Sequence, residues 1–206
     1  MQSFGANSWR HADLGTMSSQ VSINIRFLLW SLKITRTEWD AWLAARATLP
    51  TDMCRRLVRG TMRDAEISAP LMRTLADALE VDEENLRFAD LPRDRGNVLS
   101  ENLRLLFSTL GHGGKKAIAL ELGIDPTTIS RWLSGAYEPQ LASLRQLVSY
   151  FGLPPDTDIQ EDPIFLSVEP ISVIERRNWL HGRVNALSSN ELRELFPALV
   201  RILEER

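Results

Sequence analysis

Eight side chains between Lys115 and Tyr137 have the types needed to hold a polyanion. Lys115 and Lys116 can neutralise phosphate charge, and Tyr137 can donate its hydroxyl to a phosphate oxygen; such contacts position a duplex without reading it. Thr127, Thr128, Ser130, Arg131 and Ser134 follow close together. Short hydroxyls and a guanidinium are the groups that meet base edges, the guanidinium through two parallel hydrogen bonds to guanine. A second basic set, Arg55, Arg56 and Arg59, has helical spacing: Arg55 and Arg59 share a face and Arg56 borders it. The residues alone leave alternatives open, since these arginines equally suit a solvated face or pairing with Asp52, Asp64 and Glu66, and Tyr137 equally suits packing against Trp132.

No set of residues asks for catalysis. His11, His112 and His181 are scattered, no Cys/His cluster has zinc spacing, and neither a Gly-x-Ser-x-Gly elbow nor a His-Glu-x-x-His helix occurs. No catalytic, metal or cofactor residue is therefore assigned. The run Gly111-His-Gly-Gly-Lys-Lys superficially suggests a phosphate-cradling loop, but a nucleotide loop needs a preceding strand and a hydroxyl where Lys116 stands. Glycines at a helix start, with Lys115 beside the free N–H groups, suit a DNA phosphate instead. The single cysteine, Cys54, falls on an inner face with Leu57 and Val58 and reads as a buried structural thiol in a reducing compartment.

These side chains need a frame, and Lys115–Gly135, KKAIALELGIDPTTISRWLSG, supplies one. Ala117, Ile118 and Leu122 lie near helical spacing, with Ala119 small enough for a close helix crossing. Gly123 ends that helix, Ile124 plugs the turn, and Asp125 caps a second helix whose first residue is Pro126. Ile129, Trp132 and Leu133 form its inward stripe, leaving the hydroxyls and Arg131 outside.

The order Ile-Ala-x-x-x-Gly-Ile, a cap, Ile-Ser-Arg-Trp, Gly135 and Pro139 resembles the Cro/CI-like (XRE) helix-turn-helix family over about Asn102 to Leu153. The resemblance implies a five-helix, lambda-repressor-like bundle whose third helix reads the major groove, and a transcriptional regulator, expected to act as a repressor. One departure is Lys115, where the family often has glutamine; lysine grips a phosphate but reads a base less selectively.

An earlier stretch repeats this module. Asn24-Ile-Arg-Phe-Leu-Leu matches Asn102-Leu-Arg-Leu-Leu-Phe at an offset of 78, Arg56-Leu-Val matches Arg131-Trp-Leu at 75, and Met72-Arg-Thr-Leu matches Leu144-Arg-Gln-Leu at 72. Two three-residue loop insertions reconcile the offsets. The first copy departs where it matters: Thr48 replaces the turn glycine, Pro50 stands at the cap, and Asp40 takes the place of Lys115, where a carboxylate repels phosphate.

Charge fits a local rather than a global nucleic-acid surface. The 206 residues carry a net charge of −3, but Arg93–Leu153 has seven Lys or Arg against five Asp or Glu, and the stretch from Pro154 onward has six against ten. No apolar run reaches the ~20 residues of a membrane helix, and the amino end lacks a secretory pattern, so a cytoplasmic protein without membrane contact is expected.

An all-α chain is the expectation, with two tandem bundles and a C-terminal helical hairpin. Residues 1–20 form a flexible arm with Trp9, Arg10 and His11; 21–91 form the divergent module; 92–97, with Pro, Gly and alternating charge, form a linker; and 98–153 form the DNA-binding module, whose first helix is capped by Asn97 or Ser100. An acidic linker, 154–170, contains Ile164-Phe-Leu-Ser-Val, read as a short strand near 164–168 or as an extended segment packing Phe165. Two helices finish the chain over 171–206: about Ile171–Leu187, with Trp179, Leu180 and Val184 on one face, and another after Ser188, kinked or broken at Pro197, with the stripe Leu192, Leu195, Leu199 and Ile202. So little core implies packing against the modules or a second copy; of the two, a homodimer through these helices on double-stranded DNA is the expectation. The rival expectation is an antitoxin or adaptor whose modules chiefly bind another protein.

Overall fold

In the computed structural model residues 19–204 are described; residues 1–18, with Trp9, Arg10 and His11 of the expected arm, lie outside the described residues. Every regular element among the described residues is helical. Six helices lie in the first half: α1 (Gln20–Ser31), α2 (Trp39–Ala47), α3 (Thr51–Arg59), α4 (Ala69–Leu79), α5 (Glu83–Phe88) and α6 (Leu91–Arg95). Six follow: α7 (Val98–Ser108), α8 (Gly114–Leu122), α9 (Pro126–Leu133), α10 (Leu141–Phe151), α11 (Val173–Ala186) and α12 (Ser189–Glu204).

Helices α1 to α5 close around one apolar cluster in which Ile25, Leu29, Trp39, Leu43, Leu57, Met72, Leu75 and Leu86 are fully buried. Helices α7 to α10 close around a second, built from Leu103, Phe107, Ile118, Ile129, Trp132, Leu147 and Phe151. Each large side chain removed from water stabilises its cluster by about 1.5–3 kcal/mol. Local signals start the helices. The Ser19 hydroxyl accepts from the Ser22 N–H at 3.1 Å, and the Asn97 amide oxygen accepts from the Ser100 N–H at 2.8 Å, so Asn97 is the cap of α7.

Several features recur at the sequence offsets. Asn24 and Asn102 are both fully buried, and each amide ties backbone groups more than fifty residues away. Asn24 donates to the carbonyls of Leu86 and Ala89 and accepts from the Leu91 N–H; Asn102 donates to Ile159 and Asp162 and accepts from Phe165. Helix α2 ends on left-handed Thr48 (φ 54°), and α8 ends on left-handed Gly123 (φ 65°). Glu80 (φ 55°) and Gly152 (φ 59°) end α4 and α10 in the same way.

Two expectations are corrected. The segment near 164–168 is no strand: Ile164–Leu166 forms one 3-10 turn. Its neighbours are α1 and α7, whose backbone groups are already satisfied within their helices, so no edge offers pairing. The turn instead buries Phe165 and Leu166 with Ile23, Phe27, Leu91, Val98 and Leu105 in a third cluster between the two larger ones. The Leu166 carbonyl accepts from Arg26, a cation buried without a carboxylate partner among the described residues, whose pKa burial pulls down to about 10. Secondly, the stretch expected as a linker is helical through Arg95. Pro92 sits in the first turn of α6, where a missing N–H costs nothing, and Leu91 is buried in the third cluster.

From Pro163 to Glu175 the chain forms a strap over both halves. Val168 packs on the first cluster, while Ile171 and Ile174 pack on the second. Arg36, from the turn before α2, donates to the Ser167 carbonyl at 2.9 Å and pairs with Glu175. A Cβ on Gly152 would lie 2.5 Å from a Val173 methyl carbon, which fixes how closely α11 starts against the end of α10. Beyond the strap, α11 holds no buried residue and no described side chain of α12 is buried. The Ser188–Glu191 capping box forms, with Glu191 accepting from the Ser188 N–H at 2.9 Å, and α12 runs past Pro197 to Glu204 without a break.

Candidate nucleic-acid interface

Helix α9 is held at both ends and open along one side. At its start the Asp125 carboxylate accepts from the Thr127 N–H at 2.7 Å. That hydrogen bonding to Thr127, with the nearby Arg131 charge, holds the Asp125 carboxyl below the usual carboxylate range. At its end the Leu133 carbonyl accepts from the Ser100 hydroxyl at 2.9 Å and from Arg104 at 3.2 Å, pinning the helix to α7. Ile129 and Trp132 fill the core beneath; the Trp132 indole N–H has no acceptor there.

Thr127, Ser130, Arg131 and Ser134 are exposed and Thr128 is half-buried. The Ser130 hydroxyl donates to the Pro126 carbonyl at 3.4 Å and the Ser134 hydroxyl to the Arg131 carbonyl at 3.0 Å. Both hydroxyls are exposed and can rotate to donate to a base edge or accept from one. Arg131 makes no ion pair among the described residues. Lys115 and Lys116 are exposed in the first turn of α8, whose start at left-handed Gly113 (φ 83°) has no side-chain cap; the Gly114 N–H instead donates to the Gly111 carbonyl and the Lys116 N–H to the Gly113 carbonyl, each at 3.0 Å. Tyr137, 55% exposed, stands in the loop after α9 rather than being buried against Trp132.

The first half presents its basic residues differently. Arg55 binds Asp40 at 3.1 Å and Asp52 at 2.8 Å, and Arg56 binds Glu66 at 2.8 Å. The hydrogen bond from Arg56 holds the Glu66 carboxyl below its ordinary range. Arg59 is exposed. Asp40, the residue standing in place of Lys115, thus pairs with Arg55, the counterpart of Ser130 at the offset of 75, while Arg56, the counterpart of Arg131, is taken by Glu66. Sequence spacing suggested Asp52, Asp64 and Glu66 as partners; Asp64 pairs with no arginine among the described residues, and Asp40, fifteen residues from Arg55, was not among them. Cys54, on the inward side of α3 itself, is fully buried, and burial with the nearby Asp40 charge pushes its thiol up to about 11, so it is no thiolate at neutral pH.

Sequence reasoning also missed Ser100 and Arg104 as the residues that seat α9. Their signal lay in the repeat, where they align with Ser22 and Arg26 at the offset of 78.

Among the described residues no group of three His, Cys, Asp or Glu side chains converges as a metal site, and no helix is long and apolar enough to cross a membrane. No curated protein and no solved structure matches the chain. The helix-turn-helix family model matches residues 115–157, which hold α8, α9 and α10; a non-catalytic, DNA-binding regulatory module of the Cro/CI helix-turn-helix type is present in this part of the chain.

Proposed function

We propose that the protein is a sequence-specific regulator of transcription that binds double-stranded DNA as a dimer and represses by occupying a promoter. The observation that carries this reading is the outward side of α9: Thr127, Ser130, Arg131 and Ser134 exposed together, with Arg131 taken by no carboxylate among the described residues. Lys115, Lys116 and Tyr137 position the phosphate backbone, and the α9 residues meet base edges. The recurrent buried asparagines and the left-handed helix ends at matching offsets support two tandem modules, 21–91 and 98–153. Self-association through the C-terminal helices is supported by their exposed apolar side chains. It places two α9 helices on neighbouring turns of one duplex.

Arg131→Ala tests the reading. It should weaken binding to a duplex selected from a random pool by about 1–3 kcal/mol and relax preference at one base pair. An unchanged preference removes the base-reading role of Arg131.

A second reading is a protein-binding adaptor or antitoxin, in which DNA contact is secondary. It is favoured by the internal pairing of Arg55 and Arg56, which leaves little free charge on α3. Salt separates the two. Affinity resting on phosphate neutralisation falls steeply as salt rises, whereas binding to a polypeptide partner has no such requirement.

A further inference from the structure

Packing does not account for the basic side chains of α11. Arg176, Arg177, His181 and Arg183 are all exposed along it. The acidic residue of its first turn, Glu175, is taken up by Arg36 and by the Ile171 N–H. Arg176 donates to the Pro170 carbonyl, and Arg183 lies 5.4 Å from the centre of the Trp179 ring. Arg177 has no carboxylate within 4.0 Å among the described residues.

The course of α11 gives this charge a purpose. Ile174 packs on the second core, and one turn later the Asn178 amide donates to the Thr109 carbonyl at 3.4 Å. Thr109 opens the loop that carries His112 and leads into the first turn of α8, where Lys115 and Lys116 stand. Arg177 and His181 follow Ile174 by three and seven residues, so helical geometry puts them on the same side of α11. Asn178, between Arg177 and His181 in the sequence, is the residue that ties this stretch of α11 to the loop.

We infer that α11, which lies outside the matched domain, prolongs its phosphate-binding surface, with Arg177 gripping the duplex backbone beside the start of α8 and His181 next to it. This deepens the reading of α9 as a DNA-reading helix and rests on it. The tie to the loop that leads to Lys115 and Lys116, and the absence among the described residues of a carboxylate paired with Arg177, favour a polyanionic backbone as the occupant. A single guanidinium and an imidazole bordering a loop, away from α9, add affinity without adding sequence preference.

The test is the salt dependence of duplex binding by the full chain, for wild type, Lys115→Gln, Arg177→Gln and Arg177→Lys, on a selected duplex and on a scrambled one. Loss of one phosphate contact lowers the slope of log K against log salt by about 0.9. Arg177→Gln should do this and weaken both duplexes by the same factor, while Arg177→Lys keeps the slope. If Arg177→Gln leaves the slope of a binding-competent chain unchanged, or if Arg177→Lys loses as much as Arg177→Gln, α11 makes no such contact and the inference falls alone. A wild-type chain that binds neither duplex overturns it together with the reading beneath it.

Discussion

Asn24 and Asn102 show how much structure one amide can hold. Asn102 satisfies two carbonyls, at 2.9 and 2.7 Å, and one N–H, at 3.0 Å, inside a region closed to water. Each buried backbone group left unpaired costs about 1–3 kcal/mol, so Asn102→Ala should lower unfolding stability by on the order of 3 kcal/mol, read from denaturant midpoints. A loss below about 1 kcal/mol would mean that water enters and replaces the amide. The sequence repeat made both asparagines visible but not their task, because the groups they tie lie 57 to 67 residues away and no local pattern announces them. The outward residues of α9 were legible for the opposite reason. Cap, proline, apolar stripe and polar side all fall within ten residues, where spacing alone decides which way each points.

Among the elements, the α2–α3 turn has the clearest mismatch between residue and backbone. Thr48 is exposed, β-branched and left-handed (φ 54°, ψ 44°), in the conformation that Gly123 takes without penalty after α8. A left-handed L-residue costs roughly 1–2 kcal/mol, and glycine returns part of that through its looser unfolded chain. Thr48→Gly should therefore stabilise the protein by about 0.5–1 kcal/mol, seen as a melting temperature a few degrees higher. A lower melting temperature would show that the Thr48 side chain contributes something its exposure hides. Helix-turn-helix spacing told where this turn falls, even without glycine. The elements that sequence misjudged were those ruled by distant neighbours. Ile164–Leu166 alternates like a strand yet has only helices beside it, and Leu91–Arg95 carries breaker composition yet is anchored by a buried leucine.

At the scale of the molecule, α12 is the least settled piece of surface. Leu195, Phe196 and Ile202 are 47%, 58% and 62% exposed along a helix of 16 residues, a length that is marginal in water without packing. A dimer formed there predicts that Leu195→Glu with Leu199→Glu halves the mass found by sedimentation at micromolar concentration, with the helices of the matched domain retained in circular dichroism. An unchanged mass would place the contact elsewhere. The stripe was readable from its spacing; what covers it was not, since periodicity reports a face and never its partner. The strap from Pro163 to Glu175 has a different consequence. Because Phe165 and Leu166 are the mortar between two cores and Val168 and Ile171 lean on either side, the strap is no detachable appendage. A fragment ending at Asp162 would not be a miniature of the protein. Its halves would keep the Trp30–Glu101 hydrogen bond but lose the apolar fill that now seats Ile23 and Phe27 against Val98 and Leu105.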